Sequence, residues 1–144
     1  MMKKSILMSM TPLLRAAEES ALEGKPAAIG AFNVNFYTQA EGILEGLRRA
    51  DAPGIIQASK GANKFQGGPQ KIADMLKTAM EKNKHRLPVA LHLDHGDEEQ
   101  ARVCVDEGFS SVMIDASKFD LDENLKTTRR VVEYAHPHAI SVAE

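Results

Sequence analysis

A chain of 144 residues, 43% hydrophobic and 26% charged, is long enough for one domain with a real core. Its net charge of −2 leaves no electrostatic footprint for nucleic acid, and no run approaches the ~20 apolar residues of a membrane span. The single Cys104 excludes an intrachain disulfide and reads as a small buried hydrophobe, in keeping with a cytoplasmic location. In chain order, the start MMKKSILMSM is too short and too broken by serines for a secretory signal. Thr11-Pro12 opens a helix with Leu13, Leu14, Ala17 and Ala21 on one face, closed by Gly24. A first strand is predicted over Ala27 to Phe32. Ala40, Ile43, Leu44 and Leu47 then repeat at helical spacing. A second strand covers Gly54 to Ser59, followed by a helix through Ile72, Met75, Leu76 and Ala79. The third strand, Pro88 to Asp94, leads to a helix capped by Asp97, carrying Ala101, Cys104 and Val105 and ended by Gly108. The fourth strand is Ser111 to Ala116. Asp120 and Glu123 resemble a capping box, opening a helix with Leu125, Thr128, Val132 and Ala135 on one face and stopped before Pro137. The fifth strand is Ala139 to Ala143.

The strands are near-continuous apolar runs, as strands covered on both faces are. Their starts, at 27, 54, 88, 111 and 139, keep the spacing of βα units, so the sheet is parallel. Periodicity leaves open whether it belongs to a barrel or to a doubly wound sheet.

Polar residues crowd the C-terminal strand ends: Asn33 and Asn35, Ser59 and Lys60, Asp94 and His95, Asp115 and Ser117. In either architecture these ends share the rim where chemistry occurs. His92 and Asp94 are two apart and share a strand face, whereas His95 is where the chain leaves the strand. A lone Asp after a strand is commonly a helix cap, but Asp97 fills that role and frees Asp94. A lone His is more often a hydrogen-bonded rim residue than a ligand. His85, His136 and His138 adjoin helix ends or turns and read as solvated, and Gly67-Gly68 reads as a plain turn. Lys60 and Lys118, just beyond strand ends, leave a Schiff-base reading in competition.

In this order and spacing, GAFNVN, QASKGA, LHLDHGD and GFSSVMIDAS, together with the helix ENLKTTRRVVEYAH, resemble the class II, metal-dependent fructose-1,6-bisphosphate aldolases from about Thr11 to Val142. The resemblance implies an α/β TIM (β/α)8 barrel, of which this chain covers about the first five strands. It also implies cleavage of fructose bisphosphate to dihydroxyacetone phosphate and glyceraldehyde 3-phosphate. A zinc ion there polarises the ketone and stabilises the enediolate as a Lewis acid. On that resemblance Asp94 handles the C4 hydroxyl proton and His95 is a metal ligand. Asn33 and Ser59 match substrate-binding positions. Asp115 matches an acidic position that can hold a second cation. The implied partners are a phosphorylated sugar and further copies of the chain, with no nucleic acid and no membrane.

A full barrel takes about 250 residues, so residues 1–144 are expected to form the N-terminal portion of a single barrel domain. One zinc histidine is not a zinc site. The remaining ligands are expected beyond residue 144, and the chain alone is expected to be inactive. Near its end the family reads Ser-Val-Glu-Ala-Glu where this chain has Ser141, Val142, Ala143 and Glu144. Alternatives from the same residues are a tagatose-bisphosphate aldolase, or a non-catalytic half-barrel that associates through open sheet edges and an inner face carrying Val89, Leu91 or their alternates.

Overall fold

A computed structural model describes residues 7–25 and 27–144; the opening lysines therefore lie outside the described residues. Helix α1 (Met10–Leu22) precedes β1 (Gly30–Asn33), α2 (Tyr37–Ala50), β2 (Gly54–Ser59), α3 (Lys60–Gln66) and α4 (Pro69–Lys82). Strand β3 (Val89–Gly96), α5 (Glu98–Asp106), β4 (Ser111–Ile114), α6 (Leu121–Ala135), a 3-10 turn and β5 (Ser141–Ala143) complete it. All five strands are parallel and lie in the order β1-β2-β3-β4-β5. A doubly wound sheet reverses its strand order partway. Unbroken sequential order, with right-handed crossovers, puts every connecting helix on one face, which is a barrel arc.

Register sorts the two faces. Val89, Leu91 and Leu93 of β3, with Ile56 and Ala58 of β2 and Val112 and Ile114 of β4, enter the main core. There they meet Leu44, Ile72, Leu76, Cys104 and Val131 from the helices. The inner face carries their alternates. Ala31, Ile55 and Ala90 pair at one level, and Asn33, Gln57, His92, Ser111 and Ser141 at the next. Val89 and Leu91 thus point to the helices, and the inner face is small and polar rather than filled with bulky branched side chains. Helix α1 lies over its lower part. Leu13 packs on Ile55 and Ala90, and the Met10 N–H donates to Ser141 Oγ at 3.1 Å.

Several elements differ from the sequence expectation. The first strand starts at Gly30, and α1 buries only Leu13 of its expected face, Leu14 being exposed. Helix α3 is an additional element. Ser59 caps it by accepting the Ala62 N–H at 3.2 Å, and the positive φ of Gly67 (88°) and Gly68 (126°) turns the chain into α4, with Pro69 in its first turn. Asp97 caps α5 as expected, with Gln100 completing the box. Asp120 caps α6, but Glu123 bonds Thr127 and Arg130 instead of closing a box. The buried face of α6 is Thr127, Val131 and Ala135, while Leu125 lies exposed. Of the face expected from spacing, Ala135 is buried, Thr128 and Val132 are partly buried and only Leu125 is exposed, so the buried stripe is rotated from the expected one. His85 is buried, not solvated.

Candidate active site

Four strand ends bring their polar residues to one rim. On β1 and β2, Asn33 and Gln57 are paired neighbours on the inner face. The Gln57 amide Nε2 donates to Asn33 Oδ1 at 3.0 Å and to Asp94 Oδ2 at 3.3 Å, tying three strands together. Asp94 thus receives Gln57 on Oδ2, and its Oδ1 accepts no hydrogen bond from the described residues.

The next step depends on an irregularity in β3. Between β3 and β4 the pairing runs His92 with Ser111, Leu93 with Val112, and then Gly96 with Ile114. Asp94 and His95 therefore stand opposite the single residue Met113, which is a β-bulge. His95 sits within it at φ 57°, a left-handed conformation that costs a non-glycine residue about 1–2 kcal/mol. In a regular strand the residue after inward-facing Asp94 would point into the helix core. The bulge lifts His95 onto the rim instead. There its Nε2 lies 3.8 Å from Asp94 Oδ1 and its Nδ1 lies 2.9 Å from Asp115 Oδ2. Gly96 closes the bulge, and a Cβ there would clash with the fully buried side chain of Leu93.

Asp115 is held from its other side. Its Oδ1 accepts from Ser117 Oγ at 2.7 Å and from the Ser117 N–H at 3.2 Å. These donors and His95 pull its pKa down to about 2, while hydrogen bonding to Asp115 raises that of His95. His92, one level deeper, is buried against Ser111 Oγ at 2.8 Å, and burial lowers its pKa. It stays out of the rim cluster.

Of the residues singled out in the sequence, Asn33, Asp94, His95 and Asp115 are joined in one hydrogen-bonded and charged chain. Ser59 caps α3 beside them. Lys60 pairs with Asp97 at 3.1 Å and Lys118 lies over the Phe119 ring, both exposed, so neither has the desolvated pocket that activates a Schiff-base lysine. Gln57 and Ser117 are the members that spacing did not single out as site residues. Gln57 could have been found as the one strongly polar residue inside GIIQAS, two positions before Ser59 on the same face.

His95, held at one nitrogen by a carboxylate and open at the other, has the form of a metal-binding imidazole. A zinc site takes three or four protein ligands, and among the described residues no group of three His, Cys, Asp or Glu is placed to hold a metal. The donor chemistry fits one corner of such a site. Among the described residues no helix is long and apolar enough to cross a membrane.

Residues 8–144 match the family described as fructose-bisphosphate aldolase class-II. The chain is 42% identical over 137 residues to the "Probable fructose-bisphosphate aldolase" of Bacillus subtilis (strain 168), covering 94% of this chain and 46% of the relative. It is 41% identical to the fructose-bisphosphate aldolase of Geobacillus stearothermophilus, with the same coverage. Its fold matches the crystal structure of the YdjI aldolase from Escherichia coli K12 at a TM-score of 0.79 and 28% identity, over 94% of this chain and 49% of that one. The chain thus spans about half the length of the relatives it matches.

Proposed function

The chain belongs to the class II fructose-bisphosphate aldolase family, and on that premise we propose that its rim cluster is the Asp94–His95 portion of an active site that cleaves fructose 1,6-bisphosphate. The observation that carries the reading is the bulge that turns Asp94 Oδ1 and His95 Nε2 to the same open side, 3.8 Å apart. Zinc, when bound, supplies a Lewis acid at the substrate ketone. His95 would provide one of its ligands and residues outside those described the others. Asp94, fixed by Gln57 through one oxygen, takes the C4 hydroxyl proton with the other. The C4 oxygen then becomes the aldehyde of glyceraldehyde 3-phosphate as the C3–C4 bond breaks, its electron pair remaining with the dihydroxyacetone phosphate portion. Asn33 and Ser59 would line the substrate, and Asp115 would support His95 or a second cation. The reading carries with it a cytoplasmic location and an enzyme that assembles from more than one copy.

The test is a chimera in which this chain replaces the corresponding half of the B. subtilis relative. Zinc-dependent cleavage of fructose 1,6-bisphosphate supports the reading, and preference for tagatose 1,6-bisphosphate would change the substrate but not the chemistry. A folded chimera that neither binds zinc nor cleaves either sugar overturns it.

One observation favours a second reading. Among the described residues, β1 and β5 each pair on one side only. Open parallel edges invite pairing with a second copy, so the chain by itself would act as a self-associating half-barrel. Sedimentation as a monomer at micromolar concentration would remove that reading.

A further inference from the structure

The hydrogen bonds behind His95 determine more than its position. Asp115 offers two oxygens and, ionised as a carboxylate at neutral pH, only accepts. Ser117 loads Oδ1 with both its hydroxyl and its backbone N–H, at 2.7 and 3.2 Å. That double contact fixes the carboxylate plane and leaves Oδ2 to face the His95 ring, 2.9 Å from Nδ1. An acceptor at this distance requires the hydrogen on Nδ1. On the other side of the ring, Asp94 Oδ1 is 3.8 Å from Nε2, beyond hydrogen-bond reach. The bulge backbone at His95 sets the ring's height, and the carboxylate sets its tautomer.

We propose that Ser117 and Asp115 are a positioning pair that locks neutral His95 as the Nδ1–H tautomer, with Nε2 bare on the open face of the rim. This deepens the proposed function, because a bare Nε2 is the nitrogen a divalent cation or an acidic substrate proton would meet. It gives Asp115 a role through His95 rather than as a direct cation ligand, and it brings in Ser117, whose hydroxyl orients the carboxylate. The contacts that orient the ring involve no substrate, whichever sugar the site takes.

The experiment is a long-range 1H–15N correlation of the histidine side chains in the 15N-labelled 144-residue protein, recorded at a pH above which the His95 ring signals no longer shift. His95 is expected to show a protonated Nδ1 and a pyridine-type Nε2. Ser117→Ala should lower the Nδ1–H to Nε2–H ratio by about threefold, and Asp115→Ala by about tenfold or more, the scale of one charge-assisted hydrogen bond. Ser117→Thr, which keeps the hydroxyl, should restore the parent ratio. An Nε2–H tautomer in the parent overturns the proposal without need of any variant. An unchanged ratio in folded Ser117→Ala overturns the part assigned to Ser117. Because the signal is read without substrate, an inactive chimera with the expected tautomer would defeat the aldolase reading and leave the positioning pair standing.

Discussion

Along β3, Val89, Leu91 and Leu93 point into the helix layer and are fully buried, whereas Ala90, His92 and Asp94 point to the inner face and become more polar toward the rim. One face obeys strand alternation and is packed by α2, α4, α5 and α6. The other obeys it only as far as Asp94, and at His95 the alternation is broken by an inserted residue. The comparison separates two tasks carried by one strand. Regular pleating builds the core, and the interruption builds the cluster. Substitutions on the two faces should therefore fail in different ways.

The largest expected effect is on chemistry alone. In the chimera, Asp94→Ala should lower turnover by roughly 10²–10⁴, the range for a lost general acid-base, with zinc retained. Its stability should stay within about 0.5 kcal/mol of the parent, since Asp94 is half-buried at the rim. Turnover within about threefold of the parent would break the contrast between the faces by removing Asp94 from the reaction.

The outward neighbour should do the reverse. Leu91→Ala in the 144-residue chain should cost about 2–5 kcal/mol in urea unfolding, as large-to-small changes in a closed core do. A cost below about 1 kcal/mol would show that the helix layer collapses onto the gap and that the outer face is less tightly packed than the buried areas imply.

The boundary between the two regimes lies at Gly96. A methyl group there clashes with Leu93, which belongs to the outer core. Gly96→Ala should destabilise by about 1–3 kcal/mol, the usual range for overpacking. It should also shift the His95 side-chain NMR signals, because the bulge must move. Destabilisation with an unmoved His95 would show that the core and the bulge are independent.

Much of this was legible in the sequence because it follows from periodicity. Five apolar runs at βα spacing give the strands, and Asp97 and Asp120 mark the starts of α5 and α6. Barrel or doubly wound sheet was not legible, since strand order is a long-range property that local spacing does not carry. Asn33, Asp94, His95 and Asp115 were legible as rim residues because strand ends converge. What brings His95 beside Asp94 was hidden. LDHG contains no marker that two residues will oppose one, and only the steric demand at Gly96 betrays it. The α6 face is legible only in part: Ala135 is buried as spacing implies, but Leu125 and Val132 are as apolar as Val131, and spacing cannot say which of them meets the sheet. Gln57 was missed because one polar residue inside an apolar strand reads as noise until its neighbours on β1 and β3 are in register.

The smallest effect sets one imidazole against another. His95 stands on the rim, and its hydrogen bond to Asp115 raises its pKa. His85, after α4, is 3% exposed, its Nε2 has no partner among the described residues, and burial lowers its pKa despite a backbone hydrogen bond to Leu87. A histidine whose folded pKa is depressed binds its proton more readily in the unfolded chain. Its neutral form therefore supports folding fully above the unfolded value of about 6.5, and that support drains away as the pH falls below it. The slope from one such group is at most about 1.4 kcal/mol per pH unit. His92, also lowered by burial, adds in the same direction. His95, with its pKa raised, works the other way and gains stability as the pH falls. Between about pH 7.5 and about pH 5, His85→Leu should therefore lose less stability on acidification than the parent, as read from urea midpoints. An equal slope in parent and variant would mean that His85 is hydrated in solution, and that the helix-side core is open where the structure closes it.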